Sequence, residues 1–243
     1  MSHLNTWTKN SNLFRNKIRQ LQREHESQDW WPRLIKIRDK IVPRLPAEAL
    51  AKEGPTSDVR SHQIFLFRDR GFEVAVGAIL TQNTAWKNVE KALMCLAEKQ
   101  LTDPFAILKI DLQTLERCVH ASGYYKQKAK KLRALSKFAA DECNGDLNRL
   151  KKDERARERL LSIWGIGPET ADTILLYGLD LPYFVVDAYT RRLLFSVTGS
   201  DHWKKCPYAE VQEFCSCSIP KSVRAWQKVH AVIVEWGKER KAM

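Results

Sequence analysis

The chain has 243 residues, enough for one large domain or two smaller lobes with a hydrophobic core. Its 41 lysine and arginine residues outnumber 29 aspartate and glutamate residues, and the formal charge of +12 favours a polyanionic partner, nucleic acid or an acidic membrane surface. No apolar run of about 18 residues occurs, which excludes a membrane-spanning helix. The first 29 residues are polar and basic without an apolar segment, so no secretory signal is expected there.

The six cysteines predict a reducing, intracellular setting in the cytoplasm or nucleoid. They contain no C-x-x-C pair, and a disulfide framework is untypical of a chain this long without a secretory signal. Cys206, Cys215 and Cys217 lie close together, one short of the four thiolates of an iron–sulfur cluster. The sequence thus gives no metal site and no cofactor.

The apolar spacing predicts a mainly α fold. Residues 1–29 read as a basic, partly helical lead-in, and residues 47–69 as a loop in which residues 64–67 form either a short strand or a buried helical turn. Helices are predicted from Phe72 onward, one of them starting at Asp103-Pro104 and another ending near Asn144-Gly145. Their apolar faces are Trp86, Val89, Leu93 and Leu96; Leu108, Leu112 and Leu115; Leu132, Leu135 and Phe138; and Trp226, Val229, His230 and Ile233.

Two predicted helices joined by a short glycine-containing hairpin lie between residues 155 and 172. A basic helical run is broken by Gly165-Ile166-Gly167-Pro168, and a second helix begins at once. The two glycines allow a tight turn with positive φ and let a phosphate approach the backbone without meeting a Cβ atom. Pro168 suits the first turn of the next helix, whose free N–H groups attract an anion. The pattern alone fits a phosphate-binding hairpin and an ordinary αα-hairpin equally well.

One aspartate follows an apolar stretch beyond this hairpin. Val185 and Val186 precede Asp187, and a new helix is predicted to start directly after it. A carboxylate in that position can cap the helix, can lie at the mouth of a cleft, or can do both.

Four blocks of sequence occur in a fixed order, and each alone is a weak signal. They are FEVAVGAILTQNTAW (residues 72–86), SGYYKQKA (122–129), the segment from the Gly165 hairpin to Asp187, and HAVIVEWGK (230–238). Together they resemble the endonuclease III superfamily of DNA glycosylases, most closely the 3-methyladenine DNA glycosylase III type, over roughly residues 72–240.

This resemblance implies a two-lobed helix-hairpin-helix DNA glycosylase fold. A central helical barrel with the hairpin would span residues 73–181, and residues 1–72 plus 182–243 would form a second helical lobe. A monomer would bind double-stranded DNA across the cleft between the lobes, flip out a damaged base and cleave its bond to the sugar.

The resemblance also assigns roles to individual residues. Asp187 is the expected catalytic aspartate, and Gln82 is expected to fill the space left by the flipped nucleotide. Tyr124 and Tyr125 are candidate wedges in the opposite strand, with burial in the core as the commoner alternative. Two basic runs, residues 126–137 and 149–159, would add non-specific phosphate affinity. The remaining expected DNA contacts are Gly165, Ile166, Gly167, Glu169, Thr170, Lys126 and Lys128.

Two departures from the endonuclease III pattern matter for the chemistry. Glu169 stands where endonuclease III carries its lysine nucleophile, and a carboxylate cannot form a Schiff base with deoxyribose. The chain resembles the monofunctional glycosylase III type here. It also ends six residues after Gly237, where the iron–sulfur ligands of many relatives begin, so no cluster is expected.

The base pocket is the third departure. Trp30-Trp31-Pro32 resembles the Trp-Trp-Pro that walls the pocket in glycosylase III, although 39 residues, 33–71, separate it from the Phe72 block. Either these residues are an insertion that leaves the pocket intact, which we favour, or the resemblance at Trp30 is accidental. Trp86 is a further pocket candidate, with core packing as an equal alternative. A cationic base such as 3-methyladenine would gain ~0.5–2 kcal/mol over an indole face and needs no general acid to leave.

The leading hypothesis is therefore a monofunctional glycosylase for alkylated purines in base excision repair. One alternative is an endonuclease III-like glycosylase and lyase for oxidised pyrimidines that uses another lysine, for instance Lys238; Glu169 argues against it. The other alternative is a non-catalytic DNA-binding protein, against which Asp187 and Gln82 argue, since a pure binder needs neither.

Overall fold

The computed structural model describes residues 2–25, 67 and 69–240 of the chain. All regular secondary structure in these residues is helical, which confirms the mainly α prediction. The proposed strand or turn at 64–67, most of the predicted loop at 47–69, and Trp30, Trp31 and Pro32 lie outside the described residues.

The helices follow one another with short connections. A π-helical turn, Ile174–Gly178, directly continues the helix before it, and two 3-10 turns span His120–Ser122 and Leu147–Lys152. The α-helices of the described residues are α1 Ser2–Glu24, α2 Arg70–Thr81, α3 Trp86–Glu98, α4 Pro104–Lys109, α5 Leu112–Val119, α6 Tyr125–Cys143, α7 Ala156–Leu161, α8 Pro168–Thr173, α9 Ala188–Thr198, α10 His202–Lys205, α11 Tyr208–Ser218 and α12 Val223–Glu239.

The described residues divide into two compact units. Residues 2–25 and 180–240 belong to the terminal unit, and residues 67 and 69–179 belong to the central unit. The lobe boundaries given above, 73–181 against 1–72 plus 182–243, stay a prediction.

Helix α2 is the most buried helix of the central unit. Asp69 caps its start by accepting a hydrogen bond from the N–H of Phe72 at 2.8 Å. The helix packs closely on the π-helical turn, because a Cβ atom on Gly178 would come 3.2 Å from the Cα atom of Gly71. α2 ends at Thr81 and thereby fixes the position of Gln82.

Several local signals in the central unit give the predicted helix ends. Asp103 caps α4, which has Pro104 in its first turn. Asn144, whose φ is 51°, caps the end of α6 directly after Cys143. The single apolar stripe predicted through Leu108, Leu112 and Leu115 is wrong. Ile110 is extended and the Asp111 side chain accepts from the N–H of Thr114, so α5 starts anew with its own cap.

The terminal unit packs α1 against α9, α11 and α12. The predicted basic lead-in is helical, and its buried face carries Phe14, Ile18 and Leu21. Phe14 packs on Phe214 of α11 with ring centres 5.9 Å apart, which places α11 beside α1.

Candidate DNA-binding and catalytic sites

The predicted hairpin lies between α7 and α8 in the central unit. Gly165 has a φ of 85°, which a residue with a side chain rarely adopts. Gly167 is extended instead, with φ −95° and ψ 179°, so only one of the two glycines serves the positive φ that the sequence suggested for both. A Cβ atom on Gly167 would meet nothing within 4 Å in the described residues, so its backbone is open to a ligand.

An ion pair joins the two helices of the hairpin. The Arg157 guanidinium of α7 donates to both carboxylate oxygens of Asp172 in α8, at 2.7 and 3.2 Å, and Asp172 is completely buried. Arg159 likewise pairs with Asp153 and Glu142. These arginines of the basic run 149–159 therefore bind carboxylates of the protein itself, which lowers the charge that this run offers to DNA.

Both polar atoms of the Gln82 side-chain amide form hydrogen bonds. Its Nε2 atom donates to Thr170 Oγ1 at 3.0 Å, and Lys131 Nζ donates to its Oε1 atom at 2.5 Å. The stem of Lys131 lies against Gly165, where an added Cβ atom would come 2.5 Å from Lys131 Cγ. The structure thus brings Gln82, Thr170 and the hairpin together, with Lys131 as a link that the sequence did not single out.

The basic segment beside the hairpin divides into exposed and buried positions. Tyr124 is 71% exposed in the left-handed conformation, and Lys126 is exposed as well. Lys128 is 1% exposed, and its ammonium group donates to the carbonyls of Leu80 at 2.8 Å and Ser122 at 2.6 Å. Burial, followed by the charge of Lys131, lowers the pKa of Lys128 to about 8. The prediction that Lys128 contacts DNA is therefore wrong for this conformation, because its side chain satisfies carbonyls of the core.

Asp187 lies in the terminal unit and caps α9. Its Oδ1 atom accepts from the N–H of Thr190 at 2.7 Å and from the Thr190 hydroxyl at 2.9 Å. Its Oδ2 atom lies 3.6 Å from His230 Nε2, and the side chain is 14% exposed. The helix-cap interpretation is confirmed, and it leaves Oδ2 outside the cap.

The surroundings of Asp187 keep its carboxylate ionised. Burial raises the pKa of Asp187, but the neighbouring His230 and the hydrogen bonds from Thr190 together hold the pKa below its usual value. His230 is 2% exposed on α12. The sequence placed His230 on an apolar helix face and gave no sign that it faces Asp187 from 43 positions away in the chain.

Neighbouring helices fix the segment that leads to Asp187. The N–H of Val186 donates to the Tyr208 hydroxyl at 3.2 Å, and Gln212 Nε2 donates to the Phe184 carbonyl at 2.7 Å. A Cβ atom on Gly237 would come 2.0 Å from Tyr189 Cδ1, so only glycine allows α12 to approach the start of α9 this closely.

Two further predicted site residues are described. Glu169 is exposed in the first turn of α8. Trp86 is the first residue of α3 and is half-buried, which fits neither a fully buried core residue nor an exposed one. No helix in the described part of the chain is long and apolar enough to cross a membrane.

Comparison with known proteins identifies the family. The profile of HhH-GPD superfamily base excision DNA repair proteins matches residues 76–220. A Methanocaldococcus jannaschii protein named as a putative DNA repair glycosylase is 41% identical over 181 residues, which cover 73% of this chain and 81% of that protein. Endonuclease III of Thermotoga maritima is 27% identical over 192 residues, 79% of this chain and 82% of the relative.

Solved structures agree with the sequence relatives. The crystal structure of H. pylori 3-methyladenine DNA glycosylase bound to 1,N6-ethenoadenine matches with a TM-score of 0.66 and 25% identity, covering 97% of this chain and 98% of that one. A trapped endonuclease III–DNA covalent intermediate matches in fold, with a TM-score of 0.61 and 22% identity over 72% of this chain and 78% of its own. The chain therefore belongs to the HhH-GPD superfamily of base excision DNA repair proteins, and it is a DNA N-glycosylase.

Proposed function

We propose that this DNA glycosylase is monofunctional and excises alkylated purines such as 3-methyladenine from duplex DNA, with Asp187 as its catalytic carboxylate. The observation that carries the proposal is the largely buried carboxylate of Asp187, whose pKa is held below its usual value. We further infer that the enzyme acts as a monomer inside the cell.

The chemistry needs a fixed negative charge. Cleavage of an N-glycosidic bond builds positive charge on the sugar as the base departs, as in glycoside hydrolysis. A carboxylate in a site with little water stabilises that charge and can orient the attacking water. Because Oδ1 of Asp187 is engaged in the helix cap, Oδ2 is the oxygen that we assign to the sugar.

The central unit supplies the proposed DNA contacts. The open backbone at Gly167 and the turn at Gly165 and Ile166 would hold a phosphate, with Thr170 and Glu169 in the following turn. Gln82 would enter the space of the flipped nucleotide. The exposed ring of Tyr124 would wedge into the opposite strand, and Lys126 would contact a phosphate.

The proposed substrate class rests on charge and on one relative. The H. pylori protein that matches nearly the whole chain is a 3-methyladenine glycosylase with a modified adenine bound. A cationic purine leaves without protonation by a general acid, so Asp187 alone is sufficient. Trp86, and Trp30, Trp31 and Pro32 outside the described residues, would form the aromatic pocket for such a base.

Incubation with duplexes that carry one defined lesion each tests the proposal. We expect excision of 3-methyladenine and related alkylated purines, with the DNA strand intact until alkali is added, because Glu169 cannot form a Schiff base. Borohydride should trap no enzyme–DNA adduct. Preferred excision of oxidised pyrimidines, or an efficient adduct, would contradict the proposal and favour an endonuclease III-like lyase that uses another lysine such as Lys238.

Trp86→Leu tests the pocket separately. The change keeps an apolar side chain but removes the aromatic face, so release of 3-methyladenine should slow while affinity for an abasic-site duplex stays the same. If Trp86 only packs in the protein, the melting temperature, the excision rate and the affinity should fall together.

A further inference from the structure

Three potential metal ligands meet where α10 turns into α11 in the terminal unit. His202 lies in the first turn of α10, Cys206 caps the end of that helix, and Glu210 lies in the first turn of α11. One ligand atom from each of the three lies within 4.8 Å of the other two. His202 Nε2 and Glu210 Oε1 are 2.5 Å apart, so both side chains already point at the same place.

The combination of donor atoms favours one class of metal. An imidazole nitrogen, a thiolate and a carboxylate oxygen form a ligand set that Zn²⁺ commonly accepts, whereas Mg²⁺ and Ca²⁺ prefer oxygen ligands alone. Zinc bonds of about 2.0–2.3 Å keep neighbouring ligand atoms roughly 3.3–3.8 Å apart. His202 and Glu210 would thus separate by about 1 Å, which their 53% and 35% exposed side chains permit without a change in the core.

We propose that His202, Cys206 and Glu210 bind one zinc ion, with water as the fourth ligand. The Cys206 thiol gives its proton to solvent when the zinc–sulfur bond forms, and the ion takes no part in electron transfer. Water reaches the fourth position from the exposed side, where His202 and Glu210 lie, while the Cys206 side chain is buried beneath them.

The nearby cations are compatible with a bound metal. Arg191 Nη1 donates to the carbonyls of Trp203 at 3.0 Å and Cys206 at 2.9 Å, and lies 3.9 Å from the Cys206 sulfur. Zinc with one thiolate and one carboxylate carries no net charge, and an N–H directed at a thiolate ligand stabilises it. Lys204 is paired with Asp201 at 2.6 Å, so its charge is also compensated.

The site is connected to the segment that carries Asp187. Tyr208 and Gln212, which flank Glu210 on α11, hold Val186 and Phe184 directly before Asp187. Arg191, which holds Cys206, belongs to the helix that Asp187 caps. Zinc would therefore stabilise the corner that positions Asp187; this consequence rests on the proposed function, whereas zinc binding itself does not.

Cobalt and zinc titration of the whole chain, freed of any affinity tag and of metal, tests the proposal. We expect one equivalent of Co²⁺ to give visible bands and a thiolate-to-cobalt charge-transfer band, and Zn²⁺ to displace it and raise the melting temperature. Cys206→Ser should lose the charge-transfer band. Cys217→Ser, which changes an exposed cysteine outside the trio, should keep it.

If Cys206→Ser fails to fold, Glu210→Gln tests zinc binding instead, because the Glu210 side chain is partly exposed. It should bind zinc at least tenfold more weakly than the wild type. The proposal is overturned by a wild-type protein without the charge-transfer band, by a band that survives Cys206→Ser, or by equal zinc affinity of Glu210→Gln and wild type. Asp187→Asn should bind zinc as the wild type does, so loss of excision and loss of zinc are distinguishable.

Discussion

The hairpin of the central unit and the Asp187 site of the terminal unit are built in opposite ways. The hairpin offers main-chain groups around glycines, and a Cβ atom added at Gly167 would meet no atom of the described residues within 4 Å. The Asp187 site consists of side chains, and its carboxylate and His230 are both largely covered. An open backbone can accept any phosphate, whereas a fixed ionised group needs burial and partners. Under the proposed function, DNA affinity and excision rate depend on separate parts of the chain, so substitutions should separate them.

Asp187→Asn tests the proposed catalytic role of Asp187, and we expect it to have the largest effect. Loss of the negative charge should slow excision by on the order of 10²-fold or more, because the developing cation on the sugar is no longer stabilised. Asparagine caps helices about as well as aspartate, so the fold should persist. Single-turnover excision and DNA affinity, measured on one preparation, check this. Near-wild-type excision by the folded variant would refute the assignment of Asp187.

The two units should also differ in their response to pH. Burial raises the pKa of Glu73 to about 7 and that of Asp69 to about 6, both in the central unit. The folded state then binds more protons than the unfolded one, so stability falls as pH rises from about 4 through these values. The lowered pKa of Asp187 acts in the other direction, and its contribution is lost only in acid, as pH falls below about 4.

Glu73→Gln tests this difference because the amide has no charge at any pH. The Oε2 atom of Glu73 is buried without a hydrogen-bond partner among the described residues. In the wild type, the free energy of unfolding should fall by on the order of 2 kcal/mol between pH 5 and 8 through Glu73. The variant should lose that part of the slope. Urea unfolding at both pH values measures it, and parallel curves for both proteins would exclude the raised pKa.

Gly167→Ala tests whether the backbone of the hairpin binds DNA. Its backbone angles suit alanine, and no atom of residues 2–25, 67 or 69–240 lies within 4 Å of the added methyl group, so the melting temperature should stay unchanged. A methyl group between the hairpin and a phosphate should weaken binding to damaged and undamaged duplexes alike, by about tenfold. Gly165→Ala is the matched control, because positive φ and the contact with Lys131 should lower its melting temperature. Unchanged DNA affinity of Gly167→Ala would show that the phosphate lies elsewhere.

Lys131→Met should have the smallest effect. It changes the residue that contacts both the hairpin and Gln82. Methionine keeps the apolar stem against Gly165 but loses the bond to Gln82 Oε1, so the amide is less well oriented for insertion. Excision should slow by about threefold to tenfold. Lys130→Met removes the same charge from an exposed neighbour on α6 and controls for phosphate affinity. Equal rates for the two variants would remove any positioning role for Lys131.

Local signals in the sequence were sufficient where the structure depends on neighbours in the chain. Asp103, Pro104 and Asn144 mark helix ends where they were predicted, and Asp187 caps its helix as its position suggested. The family and its hairpin could likewise be predicted, because four short blocks keep their order. One local signal was missed: the cap of Asp111 interrupts a stripe whose apolar spacing continues across it.

The sequence patterns could not predict contacts between residues that lie far apart in the chain. Lys128 belongs by composition to a basic surface run, yet it is buried, and its ammonium group donates a hydrogen bond to the carbonyl of Leu80, 48 positions earlier in the chain. Arg157 was counted with the charges for DNA and instead binds Asp172. The contact of Lys131 with Gln82 spans 49 positions, and no periodicity within a helix reports on such a pair.

The ion pair between Arg157 and the buried Asp172 affects how the protein searches DNA. It joins the two helices of the hairpin without help from a ligand, so the backbone that we propose for phosphate binding is held in place before any encounter with DNA. No ordering of the hairpin has to precede each contact, and the entropic cost of binding is correspondingly small. Dwell time on undamaged DNA is then set by the number of phosphate contacts and by salt. A scanning protein of this kind should slide and hop quickly over intact sequence, and only a base that leaves the stack easily should hold it in place.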